Sequence, residues 1–235
     1  MTPAARAARA AWLLHWRGQR RWHRYTVEGD EHLAGPAALL VGYHGRSVAR
    51  DLCMFTTWVH EREGYLPHAI FHRAFAESPL LRPLLEGVGG VVGDDGSLAA
   101  ALARGEHLLV TPGGTREGCR SARTRYTLAW GRRTGYLRLA LKHGLDVIPV
   151  VAAGTDDTYF GLNDGHAWGK RQRVPLGLPA WVGLGPLGPW PLSPPFPVRI
   201  RQVIGPRIRL EGTDAEALHA RVTGVVQGML DAVRS

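Results

Sequence analysis

Short apolar runs alternate along the chain with longer stretches in which apolar residues recur at helical spacing. Runs of strand length occur at 37–43 (AALLVGY), 66–75 (LPHAIFHRAF), 107–112 (HLLVTP) and 146–154 (DVIPVVAAG). Most are contiguously apolar, the pattern of strands covered on both faces. A further run, 196–208 (FPVRIRQVIGPRI), alternates as a strand with one wet face does. Between these runs, 78–90, 97–106 and 132–144 predict helices. Ser97 is the expected N-cap of the second, and Gly105 its stop. In the last segment Leu218, Val222, Val225, Val226, Met229, Leu230 and Val233 form one helical stripe. Strands that alternate with helices predict an α/β fold: a mostly parallel central sheet flanked by helices on both faces, in a single domain.

Two segments depart from this pattern. Residues 4–25 (AARAARAAWLLHWRGQRRWHRY) place Trp12 and Trp16 four apart on one helix face, among arginines. Such a face packs on the domain core or lies on a membrane surface. Residues 1–24 therefore divide off as a basic amphipathic helix ahead of a domain at 25–235. Residues 174–198 (VPLGLPAWVGLGPLGPWPLSPPFPV) carry no charge, yet eight prolines rule out a membrane-spanning helix. An irregular core-lining loop fits, as does a lipid-facing lip with Trp181, Trp190 and Phe196 as anchors.

The formal net charge of +9 raises the local concentration of anionic partners. Nucleic-acid binding would rest on charge alone, since no basic–aromatic module is present, so no nucleic-acid partner is expected. The two cysteines, Cys53 and Cys119, make neither metal-ligand spacing nor a disulfide framework; a reducing, cytoplasmic setting is expected. The apolar core AAWLLHW is too short for a signal peptide. No metal is expected. GVGGVVGDDG (87–96) has the wrong spacing for a dinucleotide loop, and Asp94 and Asp95 would repel a pyrophosphate.

Two polar islands sit at predicted strand ends. GYHGRSVARD (42–51) places His44 just past one strand, with Asp51 seven positions on. By themselves these two are either a satisfied structural pair or a general base with its orienting carboxylate. VTPGGTREG (110–118) follows another strand; Gly113 and Gly114 let backbone approach a ligand, and Arg116 adds fixed charge. The carboxyl ends of parallel strands form the ligand crevice of open α/β sheets, so the two islands can meet there.

Four ordered blocks, at 39–51, 71–118, 126–159 and 175–208, together resemble the phospholipid/glycerol acyltransferase superfamily over roughly residues 24–209. LLVGYHGRSVARD is similar to its His-acid motif, with six residues between the pair where four are commonest. The third block has Thr111 and Gly113 where Phe and Glu are usual. Its Pro-Gly-Gly form followed by Glu117 resembles the branch of diacylglycerol acyltransferases. Asp94 and Asp95 lie near the place of an arginine in the second block.

The resemblance implies a peripheral O-acyltransferase on the cytoplasmic face of an anionic membrane. It would move a fatty acyl group from a thioester co-substrate, acyl-coenzyme A or acyl-carrier protein, to a glycerolipid alcohol, with no other cofactor. His44 would be the general base and Asp51 its orienter. Gly113, Gly114, Thr115, Arg116 and Glu117 would form the substrate-binding turn, with Arg116 on a donor phosphate. A neutral acceptor is expected over a phosphorylated one, because the two aspartates stand where a guanidinium would. The alternative is a lipid-binding protein of this fold without turnover. On a continuous helix, residues seven apart lie about 10 Å apart along the axis. Pairing of His44 with Asp51 therefore needs a break, and Gly45 offers one.

Overall fold

The structure is a computed structural model and describes residues 2–71, 85, 87–92, 95–174, 178–212 and 214–234. Ten strands lie among the described residues: β1 (Thr26–Glu28), β2 (Leu39–Gly42), β3 (His68–Phe71), β4 (Gly90–Val92), β5 (Leu108–Val110), β6 (Val147–Ala153), β7 (Phe160–Gly161), β8 (Gly183–Gly185), β9 (Gly188–Pro189) and β10 (Arg201–Ile204). Seven α-helices lie among the described residues: α1 (Pro3–Trp22), α2 (Arg46–Glu63), α3 (Asp95–Ala103), α4 (Thr115–Gly118), α5 (Gly135–His143), α6 (Gly165–Arg171) and α7 (Ala215–Arg234).

Seven strands form the main sheet in the order β1-β10-β6-β2-β5-β3-β4. Every neighbouring pair is parallel except β10 with β6. The mostly parallel sheet read from the sequence is therefore present, with helices on both faces. Strand β2 shows why its run is apolar throughout. Leu39, Val41 and Tyr43 join one core with α5 and α7; Leu40 joins the other with Leu52, Phe55 and Val59 of α2. Alternate side chains point to opposite faces, and both faces are covered. The stripe on α7 buries Leu218, Val222, Val226 and Leu230, each contributing about 1.5–3 kcal/mol by leaving water.

Helix α1 lies on α2. Trp16 is buried with Met54, Ala152 and Ile200, and Trp12 packs beside it. Arg17 and Arg20 both pair with Glu61 of α2, at 2.7 and 2.5 Å. The aromatic face thus turns inward, while Leu14 and Trp22 stay exposed. No helix among the described residues is long and apolar enough to cross a membrane.

Helix α3 starts at Asp95, so Ser97 lies within its first turn and is not the cap. The helix expected at 78–90 lies mostly outside the described residues, as does Asp94. The proline-rich segment is not merely irregular. Its glycines build β8 and β9, which join β7 in a separate three-stranded antiparallel sheet. Trp181, Trp190 and Phe196 are partly buried in it, and the Trp181 indole donates to the Arg120 carbonyl at 2.9 Å.

Candidate active site

Adjacent parallel strands β2, β5 and β6 end at one edge of the sheet. From β2 comes Tyr43-His44-Gly45. From β5 comes the turn at 111–114, leading into α4. From β6 comes the 3₁₀ turn Thr155–Asp157. The two polar islands of the sequence do meet, and β6 adds a third.

His44 is half-buried at the end of β2. Its Nδ1 lies 3.0 Å from the Gly45 carbonyl oxygen. A carbonyl only accepts, so Nδ1 carries the proton, and the neutral ring keeps its lone pair on Nε2. Burial lowers its pKa to about 4, with the Arg120 charge acting in the same direction. The imidazole is thus neutral at physiological pH. The ring lies against Gly118, where an added Cβ would come within 2.7 Å of Nδ1 and 2.9 Å of the Ser47 carbonyl. Gly118→Ala should therefore displace the imidazole and lower any His44-dependent rate at least ~10-fold while far-ultraviolet circular dichroism stays native. An unchanged rate would refute that constraint.

The break needed after His44 is present, at Ser47–Ala49 instead of at Gly45. Ser47 (φ 57°) and Ala49 (φ 50°) occupy the left-handed region, and regular helix follows. Strain of this kind is held only where the surroundings over-determine it. The turn folds Asp51 back beneath Gly45. It does not bring the carboxylate onto the ring. Asp51 Oδ1 accepts from the Thr155 hydroxyl at 2.9 Å, and Oδ2 is buried with no hydrogen-bond partner. A Cβ on Gly45 would lie 1.8 Å from Thr155 Oγ1 and 2.4 Å from Asp51 Oδ1, so only glycine fits between imidazole turn and carboxylate. Burial, opposed by the Thr155 bond, raises the Asp51 pKa to about 7.

Glu117 departs from the substrate-binding role expected of it. It is fully buried. One oxygen accepts from the His44 amide at 3.0 Å, the other from the Ala129 amide at 2.8 Å. Its side chain folds under Gly113, where a Cβ would meet it at 2.0 Å. The Pro-Gly-Gly sequence is what makes room for it. Burial raises its pKa to about 7. Glu117 is a positioning residue, joining the His44 backbone to the β5 turn. Gly114 (φ 53°, ψ −144°) has a conformation that favours glycine, but its amide donates to the Thr111 carbonyl and is not free for a ligand.

Thr115 and Arg116 are exposed. The Thr115 hydroxyl lies 3.0 Å from His166 Nε2 on α6. Arg133 donates to the Pro112 and Gly113 carbonyls at 2.7 and 2.9 Å, fixing the turn. Burial and the Arg116 charge lower the pKa values of Arg133 and His166. These groups give the site a basic outer edge.

Two buried arginines that the sequence did not single out hold the edge together. Arg46 donates to the Asp156, Arg120 and Ser121 carbonyls. Arg120 donates to the Glu117, Thr124 and Thr127 carbonyls, and its guanidinium lies 5.3 Å from the Tyr43 ring centroid. Asp156 accepts from the Tyr43 hydroxyl at 2.5 Å and the Tyr126 amide at 2.7 Å. Arg120 reaches carbonyls 3 to 7 residues away, but the partners of Arg46 and Asp156 are 30 to 113 residues away, so only the Gly-Arg-Ser juxtaposition beside His44 hinted at any of this.

The main sheet, with a histidine turn beside a glycine turn, has the architecture of the glycerolipid acyltransferases. The 1-acyl-sn-glycerophosphate acyltransferase PlsC of Thermotoga maritima superposes with a TM-score of 0.58 at 17% identity, over 97% of this chain and 80% of that one. The profile of the diacylglycerol acyltransferase family matches residues 24–174, and the chain belongs to that family. It is 29% identical over 220 residues to the Gallus gallus "DGAT1/2-independent enzyme synthesizing storage lipids", covering 92% of this chain and 62% of the relative. It is 23% identical over 182 residues to Homo sapiens diacylglycerol O-acyltransferase 2, covering 72% and 47%. The chain thus spans about three fifths, or less, of the length of these relatives.

Proposed function

We propose that the protein transfers a fatty acyl group from a thioester to the hydroxyl of a glycerolipid at a membrane surface, with His44 as general base. The observation that carries this is the tautomer. Nδ1–H is engaged by the Gly45 carbonyl, which leaves the Nε2 lone pair as the ring's proton acceptor at the sheet edge. A lipid alcohol is a poor nucleophile until its proton leaves as it attacks. The alcohol oxygen bonds to the thioester carbonyl carbon, and its proton passes to Nε2. The C–S bond then breaks, and the departing sulfur takes the proton from the imidazolium. The thioester is already activated.

In this reading Asp51, across Gly45, stabilises the imidazolium through space once it is ionised. Arg116, with Arg133 and His166 behind it, meets donor phosphate, whether from acyl-coenzyme A or acyl-carrier protein. The cytoplasmic face of an anionic membrane suits the net charge of +9. Transfer from radiolabelled acyl-coenzyme A to mixed lipid acceptors, followed by separation of the products, tests the reading; no acylated lipid with any donor would reject it. Rejection would favour a lipid-binding protein without turnover, a reading that the separation of Asp51 from the ring supports.

Acceptor preference follows from charge. The carboxylates expected at Asp94 and Asp95, outside the described side chains, would repel a phosphomonoester. Mono- or diacylglycerol should outcompete lysophosphatidate in kcat/KM at equal surface concentration. A preference for lysophosphatidate would overturn this.

A further inference from the structure

The small sheet reverses the usual arrangement of a sheet on a protein surface. Its inner face is made of glycine. A Cβ on Gly161 would clash with the Arg46 guanidinium, one on Gly183 with the Trp181 ring, and one on Gly185 with Ser193 and Tyr159. The alternate positions point outward and are apolar. Phe160 pairs across the strands with Leu184, and the Leu162 amide donates to the Val182 carbonyl. An antiparallel sheet with one free face normally carries polar residues there. Here Phe160, Leu162, Trp168, Leu178, Leu187 and Leu192 are all exposed, the last two at 80% and 86%. No Asp or Glu occurs between residues 165 and 210, whereas Lys170, Arg171 and Arg173 stand exposed beside the apolar residues. Apolar surface rimmed by these cations, with Asp164 at the N-cap of α6 as the neighbouring exposed acid, matches the interface of a leaflet that contains anionic lipid.

The same sheet is fastened to the turn that carries His44. The Arg46 guanidinium lies 6.0 Å from the Trp181 ring centroid, and Arg46 and the Trp181 indole both donate to the Arg120 carbonyl. The Tyr159 hydroxyl donates to the Ser193 carbonyl at 2.9 Å. Val48, in the strained turn four residues after His44, is itself 46% exposed. We infer that the outer face of β7-β8-β9, together with α6, is the surface that seats the protein on an anionic bilayer and thereby presents the His44 turn to lipid. The inference rests on the acyl-transfer reading for its link to His44, but the docking itself does not depend on turnover.

The test uses the full chain and its Leu187→Ser/Leu192→Ser and Phe160→Ser/Leu162→Ser variants. All four side chains are exposed, so folding is not at stake. Sedimentation with phosphatidylcholine vesicles, with and without phosphatidylglycerol, measures partitioning. Wild type should prefer the phosphatidylglycerol vesicles, and each variant should partition at least ~10-fold less. Acyl transfer to vesicle-borne acceptor should fall in parallel, while transfer to a water-soluble short-chain acceptor stays near wild type. If partitioning falls but no form of the protein transfers acyl groups, docking stands and the acyl-transfer reading fails. If partitioning is unchanged in both variants, or if wild type self-associates through this face and the variants do not, the inference is overturned.

Discussion

His44→Ala is expected to lower acyl transfer at least ~10²-fold, the usual share of a general base, while leaving the protein folded. The ring is half-buried, and its only hydrogen bond among the described residues is to the neighbouring carbonyl. The backbone contact that anchors the turn runs from the His44 amide to Glu117 and survives the substitution. Loss of rate without loss of melting temperature is therefore the expected signature. His44→Gln sharpens the test. Glutamine can donate to the Gly45 carbonyl but cannot take up a proton, so it should be as inactive as alanine. Recovery of rate in His44→Gln would mean that position 44 binds substrate instead of moving a proton. Near-normal turnover of folded His44→Ala would remove the mechanism altogether.

Most of the main sheet was legible because its strands are buried on both faces, which forces contiguous apolar runs such as 147–153. The small sheet was not. Strands of two or three residues, built on glycine and proline, hold too few positions to show a period, and their glycines read as loop. At the site, His44 and the Pro-Gly-Gly turn stood out as polar or small residues at the ends of apolar runs. The role of Glu117 did not, because a carboxylate on a four-residue helix looks solvated until Gly113 is seen to cover it. Thr155 and Arg46 act through carbonyls and carboxylates brought close only by the parallel pairing of β2 with β5 and β6. The Asp51 contact was misread for a related reason. Sequence spacing predicts a break in the helix, but which neighbour the refolded carboxylate meets depends on β6, 100 residues away.

Asp51 offers a test that separates function from structure. Its folded-state pKa is raised to about 7 by burial, while in the unfolded chain it titrates near the ordinary value of 3.8. Between those values the native state holds a proton that the unfolded state has lost, so rising pH favours unfolding. The contribution is most favourable below pH 4, declines through the window, and is flat above pH 7. Asp51→Asn removes this dependence. Its amide oxygen still accepts from Thr155, and any cost of its unpaired NH₂ group does not vary with pH. The stability of Asp51→Asn relative to wild type should therefore rise on the order of 3 kcal/mol between pH 4 and pH 7.5, as read from denaturant melts. Transfer should move the other way. Ionised Asp51 stabilises the imidazolium, so the wild-type rate should climb with pH through about 7, and Asp51→Asn should lose that limb and at least ~10-fold in rate at pH 8. Glu117, also raised to about 7, is the control. Glu117→Gln should keep the limb if it belongs to Asp51. A variant that is more stable at pH 7.5 yet slower would mark Asp51 as a carboxylate held at a cost to folding. If Asp51→Asn kept both the limb and the rate, the carboxylate would have no part in the reaction, and the Gly45 carbonyl alone would orient the His44 ring among the described residues.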